Sequence, residues 1–206
     1  DKPEYIISGG RDLFRYVFFY QNYTGAPFHW TFDHIWSLCV EEHIYILLPI
    51  LFIIIKALFS NKRIFLILSI AGLIVTGIAF KVFSIYFTPN VSTYSTTHNR
   101  IDALGWGVLL GILVTYYEEY LKKRKRLLLL FFFGGLLLFA ANIVALVQTN
   151  NPFFEKTVFY SLSPFCFFLM LLGLYYHDFS KWRPLRFVAY YSYNWYLWHP
   201  LFAWII

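Results

Sequence analysis

Six long apolar runs constrain the fold of this chain more than any other feature. A membrane-spanning helix needs about 20 apolar residues, within a range of roughly 17 to 25, so the four longer runs suffice alone. The two shorter runs need their polar flanks. Of the 206 residues, 59% are hydrophobic, 23% aromatic and only 14% charged, which argues against an ordinary soluble domain. The sequence predicts an all-α fold, a polytopic transmembrane helical bundle with about six spans, at residues 44–59, 64–80, 103–117, 127–147, 157–176 and 188–206.

The two ends of the chain suggest a fragment of one transmembrane domain. We expect residues 1–34 to form an extracytoplasmic lead-in and residues 35–206 to hold the six spans. The chain opens with Asp-Lys-Pro-Glu, unlike a signal peptide, which has a basic start and an apolar core. Residues 13–20 resemble the last turns of a helix whose beginning is missing, and the final run stops at Ile206. We therefore expect truncation at both ends.

The distribution of basic residues predicts the orientation in a cell membrane. Eleven of the 17 Lys and Arg residues lie in or beside the first, third and fifth connections, whereas the second and fourth hold Lys81, Arg100 and Lys156. The positive-inside rule then makes the odd connections cytoplasmic, including residues 118–126 and 178–187. Residues 1–40 and 88–100 become extracytoplasmic.

The net charge of +6 has a topological explanation and requires no nucleic-acid partner. Its densest cluster, residues 122–126, lies between two spans, where it sets orientation. Contact with anionic membrane lipid, or with the phosphates of a cytoplasmic donor, is an alternative use.

The first polar constellation, residues 34–43, lies at the mouth of an apolar run. Helical phase places His34, Ser37 and Glu41 on one face, while Glu42 points about a quarter-turn away. A carboxylate at membrane depth is costly and usually marks a pathway or a reaction. The alternative is that Glu41 pairs with a buried Arg and holds helices together.

The second constellation contains Arg100 and Asp102, which enter the membrane from the same side as Glu41. An Arg100 to Glu41 pair would relieve two desolvation costs and could bind an anionic or hydroxyl-rich ligand. Alternatively, Asp102 simply starts its helix, where an acid favours the dipole. Gly107 and Gly111 have the spacing that usually indicates close helix packing.

The third constellation, in the last run, places Ser192, Tyr196 and His199 on one face. His199 lies about 17 Å along a helix that starts near residue 188, close to the bilayer midplane. Pro200 biases residue 199 away from helical geometry. A functional His and a buried His bonded to a neighbouring hydroxyl both remain open.

The sequence gives little support for a metal site. The motifs HExxH and CxxC are absent, and the two cysteines, Cys39 and Cys166, lie in separate apolar segments. We predict no metal and no bound cofactor.

Together, the three constellations resemble the membrane acyltransferase 3 family. The matching elements are W-S-L-x-V-E-E, R-x-D-x-L-x-x-G and S-Y-x-x-Y-L-x-H, which begin here at Trp36, Arg100 and Ser192. This chain departs at residues 43–44, where the family usually has Gln-Phe, and at residues 189–191, where it usually has a Gly. The family also carries a basic residue and a catalytic His on its first span, which this fragment lacks.

The resemblance implies transfer of an acyl group, often acetyl, from a cytoplasmic thioester such as acetyl-CoA to a carbohydrate hydroxyl, on a free or a lipid-linked glycan. Glu41, Arg100 and His199 are the catalytic candidates, with the first-span His as the preferred base. Candidate substrate-binding residues are His34, Trp36, Ser37, Glu42, Asp102, Ser192 and Tyr196.

Two other classes of protein fit the same residues. In a transporter or flippase, Glu41, Arg100 and His199 would form a proton or substrate pathway. In a purely structural membrane subunit, the polar residues would only pair helices.

Overall fold

The structure is a computed structural model that describes residues 10–23, 35–59 and 62–205. Side-chain surroundings are described throughout these ranges except at residues 10–13, 62 and 199–205. Statements below about contacts refer to this part of the chain.

The described residues form eight α-helices and no strand, which confirms the predicted all-α fold. Short 3-10 turns at Gln21–Tyr23 and Thr97–Asn99 and a π-helical turn at Phe154–Phe159 join them. The long helix that ends at Thr149 is followed by Asn150, whose left-handed conformation (φ 43°) is a common way to stop a helix. The helices are α1 (Gly10–Val17), α2 (Trp36–Leu58), α3 (Lys62–Phe87), α4 (Ile101–Tyr116), α5 (Glu118–Lys123), α6 (Lys125–Thr149), α7 (Tyr160–Leu174) and α8 (Arg183–Ile205).

Four helical segments are long and apolar enough to cross a membrane: Trp36–Leu58, Arg63–Phe87, Lys125–Thr149 and Phe154–Leu174. Ile101–Tyr116 is a shorter apolar helix. Helix α8 has 23 residues, but its tyrosines, tryptophans and flanking arginines make it less apolar than these. Six spans therefore remain a prediction, with four supported by length and composition.

Helix α4 lies at the centre of the bundle. Its Ile112 joins Ile70 and Ile74 of α3 in one apolar cluster, with Leu48 and Leu51 of α2 packed against them. A second cluster joins α6 and α7 to the other side of α4. Trp106 touches both clusters, and its ring centroid lies 4.8 Å from that of Phe165. Burial of α4 on two sides therefore positions the residues at its N-terminus.

Close helix packing depends on glycines other than the pair that the sequence indicated. A Cβ added at Gly105 would lie 2.6 Å from Ile74, and one added at Gly173 would lie 2.6 Å from the Phe132 backbone nitrogen. A Cβ at Gly107 or Gly111 would meet nothing within 4 Å. The interpretation of Gly107 and Gly111 as a packing motif is therefore wrong for the described bundle, because no neighbouring helix approaches α4 closely at either residue.

We predict that Gly173→Ala destabilises the protein, because the added methyl group meets backbone atoms that cannot move aside locally. Overpacking of this kind costs about 1–3 kcal/mol. Gly134→Ala is the matched control, since its Cβ meets nothing within 4 Å. It should be neutral or stabilising by up to about 1 kcal/mol from helix propensity. Unfolding of the two variants in detergent would test this, and equal stability would contradict the packing assignment.

Candidate active site

A buried ion pair lies where α3, α4 and α7 meet. The Lys81 ammonium group of α3 contacts the Asp102 carboxylate of α4 at 2.5 Å, and both side chains are 0% exposed. Lys81 also donates to the Ser161 hydroxyl at 3.0 Å. The assignment of Lys81 to a connection is therefore wrong, because α3 continues to Phe87. Arg100 is then the basic residue of the connection between α3 and α4. The difference in the number of basic residues between the odd and the even connections becomes larger.

Pro164 supplies a further acceptor for Lys81. A proline inside a helix cannot donate to the carbonyl four residues earlier, which in α7 belongs to Tyr160. The Lys81 ammonium group donates to this freed Tyr160 carbonyl at 3.3 Å. Pro164 thus frees a carbonyl that accepts a hydrogen bond from Lys81, and this carbonyl lies directly after the π-helical turn.

The structure places Arg100 against aromatic rings instead of the predicted partner Glu41. Its guanidinium carbon lies 5.5 Å from the Trp36 ring centroid and 5.4 Å from that of Tyr94. The ion pair of the described residues joins Lys81 to Asp102, so Arg100 and Glu41 do not pair there. Burial lowers the pKa of Arg100, and the Asp102 carboxylate opposes this effect. An arginine keeps its charge regardless.

Helical phase explains why Glu41 does not reach Arg100. At about 100° per residue, Glu41 lies about 140° around α2 from Trp36, which faces Tyr94 and Arg100. Val40 and Ile44 point into the bundle, whereas Glu41 is exposed and Glu42 is half-buried. Glu41, which helical phase places on the face of Ser37, therefore does not point towards Arg100 in the described bundle.

The face of α2 that carries Ser37 and Glu41 looks toward α8. The Ser37 and Tyr196 hydroxyls share a hydrogen bond of 2.5 Å, and Glu41 is close enough to Tyr196 to affect it electrostatically. Ser192 is exposed and donates to the Ala189 carbonyl of its own helix. His34 and the side chain of His199 lie outside the described residues, so their predicted roles remain predictions.

The connection between α3 and α4 is held by polar side chains on several elements. Thr97 contacts the His43 ring at 2.7 Å and accepts a hydrogen bond from the Asn22 amide at 3.0 Å. Asn99, which is fully buried, exchanges hydrogen bonds with Ser84 of α3. These contacts fix the backbone immediately before Arg100.

His98 lies at the edge of this connection, stacked on the Tyr23 ring with centroids 5.5 Å apart. Phe80 meets the same imidazole edge-on at 5.4 Å. Burial against these rings lowers the pKa of His98, because the charged imidazolium loses hydration there.

Three stretches of the chain therefore meet at one end of the bundle. Trp36 and Ser37 come from the first predicted constellation, Arg100 from the second and Tyr196 from the third. The family model described as an acyltransferase domain matches residues 6–206. The chain belongs to this acyltransferase family.

Curated relatives of this acyltransferase domain include the O-acetyltransferase OatA of Staphylococcus aureus strains NCTC 8325 / PS 47 and COL. Each is 24% identical over 213 residues, which cover 96% of this chain and 35% of the relative. The chain thus spans about a third of the length of these relatives. No solved structure matches the chain significantly.

Sequence reasoning about the acyltransferase domain missed the partner of Asp102. A lone lysine between apolar residues was the available signal, because Gly77, Lys81 and Ser84 follow one another on a helix face at steps of four and three. Among the described residues, no group of three or more His, Cys, Asp or Glu side chains could hold a metal ion. The absence of a metal in the protein remains a prediction.

We predict that Lys81→Met destabilises the acyltransferase domain by about 3–5 kcal/mol, because it leaves the Asp102 carboxylate buried without its partner. The double variant Lys81→Met/Asp102→Leu should recover most of the loss, since no buried charge then remains. Lys156→Met, at an exposed lysine, is the matched control. Unfolding in detergent measures all three, and a double variant no better than Lys81→Met would contradict this account.

We predict a pH dependence from His98. Because its pKa is lower in the folded protein than in the unfolded chain, the unfolded chain binds the proton first as pH falls below about 6.5. The stability of the wild type should therefore fall below that pH by more than the stability of His98→Gln. Thermal midpoints at pH 8 and pH 5 for the two proteins measure the difference, and parallel curves would refute it.

Proposed function

We propose that this chain is part of an integral-membrane O-acyltransferase. The enzyme transfers an acyl group, in this proposal acetyl, from a cytoplasmic thioester such as acetyl-CoA to a hydroxyl of a carbohydrate-type acceptor. Family membership supports the reaction class, and the printed name of the relatives supports acetyl. The observation that carries the proposal is the meeting of Trp36, Ser37, Arg100 and Tyr196 at one end of the bundle.

The proposed reaction needs a base, a polar acceptor site and positive charge. The acceptor hydroxyl oxygen attacks the thioester carbonyl, the carbon–sulfur bond breaks, and the thiolate leaves while the hydroxyl proton passes to a general base. Glu41 orients that base or binds the acceptor. The hydroxyls of Ser37 and Tyr196 supply polar groups beside it. His199 relays the proton or lines the acyl path.

Arg100 provides positive charge next to this centre. Its guanidinium group attracts an anionic group of a substrate, because the nearby Asp102 carboxylate is already neutralised by Lys81. The Trp36 and Tyr94 rings, whose centroids are 4.6 Å apart, both make cation–π contacts with this group. We therefore assign Asp102 a structural role as the partner of Lys81, in place of the substrate-binding role that the resemblance implied.

In the proposed orientation, residues 88–100 lie outside the cell membrane and the basic residues 118–126 and 178–187 lie in the cytoplasm. Donor phosphates would then meet basic residues on the inner side. The acceptor would reach Ser37, Glu41 and Arg100 from the outer side.

We predict that Glu41→Gln in the full-length protein lowers acyl transfer by up to about 10²–10⁴-fold, the contribution of a general base, because that base loses the carboxylate that orients it. Membrane abundance should stay normal, because Glu41 is exposed and buries no charge in the bundle. Incorporation of labelled acetyl from acetyl-CoA into envelope carbohydrate is the measurement.

Glu118→Gln is the matched control for this test, since Glu118 is an exposed acid in the first turn of α5. It should leave transfer unchanged. Wild-type transfer by Glu41→Gln would remove Glu41 from the mechanism. Movement of a solute across the membrane without covalent change would instead favour a transporter.

A further inference from the structure

An apolar groove runs along the bundle from Arg100. It lies between α4 and α7, with Phe139 of α6 beside it, and its volume is about 500 Å³. Arg100, Tyr94 and Tyr160 line one end, while Leu110 and Leu171 line the other. Gly107 lies on the α4 wall, where the missing side chain leaves open space.

Among the residues that the structure describes, Arg100 is the single charged side chain that lines the groove. Within the described chain its guanidinium group makes cation–π contacts and donates no hydrogen bond to a protein acceptor. By contrast, the Tyr160 hydroxyl donates to Glu155 and the Ser163 hydroxyl donates to the Phe159 carbonyl. The Arg100 guanidinium group therefore offers free and charged hydrogen-bond donors at the mouth of the groove. Further along α4, the indole N–H of Trp106, which also lines the groove, is a neutral donor without a hydrogen-bond partner among the described residues.

The dimensions of the groove fit one hydrocarbon chain. Eleven residues separate Tyr160 from Leu171, which corresponds to about 16 Å along a helix. This is about half of the ~30 Å hydrocarbon thickness of a bilayer, the depth that one leaflet occupies. The remaining lining residues are mainly aromatic and aliphatic, among them Trp106, Phe167 and Phe168.

Charge complementarity selects the head of the ligand. An arginine fork binds phosphate oxygens through two parallel hydrogen bonds, and one arginine matches one phosphate. A donor with several phosphates and a nucleotide would need more cations and polar groups than this groove offers.

We propose that the groove between α4 and α7 binds a phosphate-bearing lipid, with the phosphate on Arg100 and one hydrocarbon chain along Gly107 and Leu110. This lipid is the source of the anionic group assigned to Arg100 above. Its part in acyl transfer rests on the proposed function, whereas its binding is measured without any transfer.

The test measures the affinity of lipids for the purified full-length protein by native mass spectrometry. The probe is dioleoyl phosphatidic acid, compared with dioleoylglycerol, which lacks the phosphate, and glycerol 3-phosphate, which lacks the chains. We expect phosphatidic acid to bind at least 10-fold more tightly than either. Equal binding of glycerol 3-phosphate would indicate a free-anion site and overturn the proposal, as would equal binding of dioleoylglycerol.

Two glycines on α4 provide a matched pair of variants. Gly107→Leu fills the groove and should weaken phosphatidic acid binding at least 10-fold, with a smaller loss for Gly107→Ala. Gly111→Leu adds the same side chain at a position where nothing lies within 4 Å, and Gly111 does not line the groove. Binding of phosphatidic acid to this variant should therefore stay at the wild-type level. Wild-type binding by folded Gly107→Leu and Gly107→Ala would overturn the proposal.

Two arginines provide the corresponding test of the head group. Arg100→Gln should weaken phosphatidic acid binding about 10-fold and leave dioleoylglycerol binding unchanged. Arg63→Gln is the control, because Arg63 also lies over a tyrosine ring, Tyr116, but outside the groove. Equal losses in the two variants would show general attraction to a basic surface and overturn the assignment of Arg100.

Discussion

The buried contact between Lys81 and Asp102 is the constraint on which the rest of the site depends. It joins α3 to α4 and, through Ser161 and the Tyr160 carbonyl, joins both to α7. A buried pair costs desolvation of two ions, so its value lies more in fixing which helices meet, and in what register, than in net stability. Because Lys81 neutralises the Asp102 charge through Oδ2, Arg100 keeps its charge available two residues earlier, although Asp102 Oδ1 is buried without a hydrogen-bond partner among the described residues.

The helical architecture could be predicted from the sequence, whereas the contacts between the helices could not. Apolar runs and basic connections identify helices because a bilayer permits few alternatives. Ser37 and Tyr196, which helical phase placed on polar faces of their runs, contact one another, and their role in a site stays a prediction. The predicted pairing of Glu41 with Arg100 was wrong. Helical phase shows which residues share a face of one helix, but it does not show which face the neighbouring helix covers. Trp36 was the residue that reached Arg100.

Lys81 and the glycines illustrate the same limit. A lysine near the end of an apolar run fits an interfacial position as well as a buried pair, and the choice depends on Asp102 lying opposite. Glycine spacing likewise indicates that helices can approach closely without saying where they do. In this bundle Gly105 and Gly173 allow close packing, whereas Gly107 opens a groove.

The Lys81 to Asp102 pair also has a consequence for biogenesis. Inserted alone, α3 would carry an uncompensated ammonium group six residues before its end, and α4 an uncompensated carboxylate at its second residue. Each would cost free energy in lipid, with about 2.5–3.5 kcal/mol, the cost of a charge at the centre of a helix, as an upper bound. The connection between them has only 13 residues outside the two helices, from Thr88 to Arg100. Joint entry as a helical hairpin lets the two charges neutralise one another before either meets lipid, so α3 and α4 behave as one insertion unit.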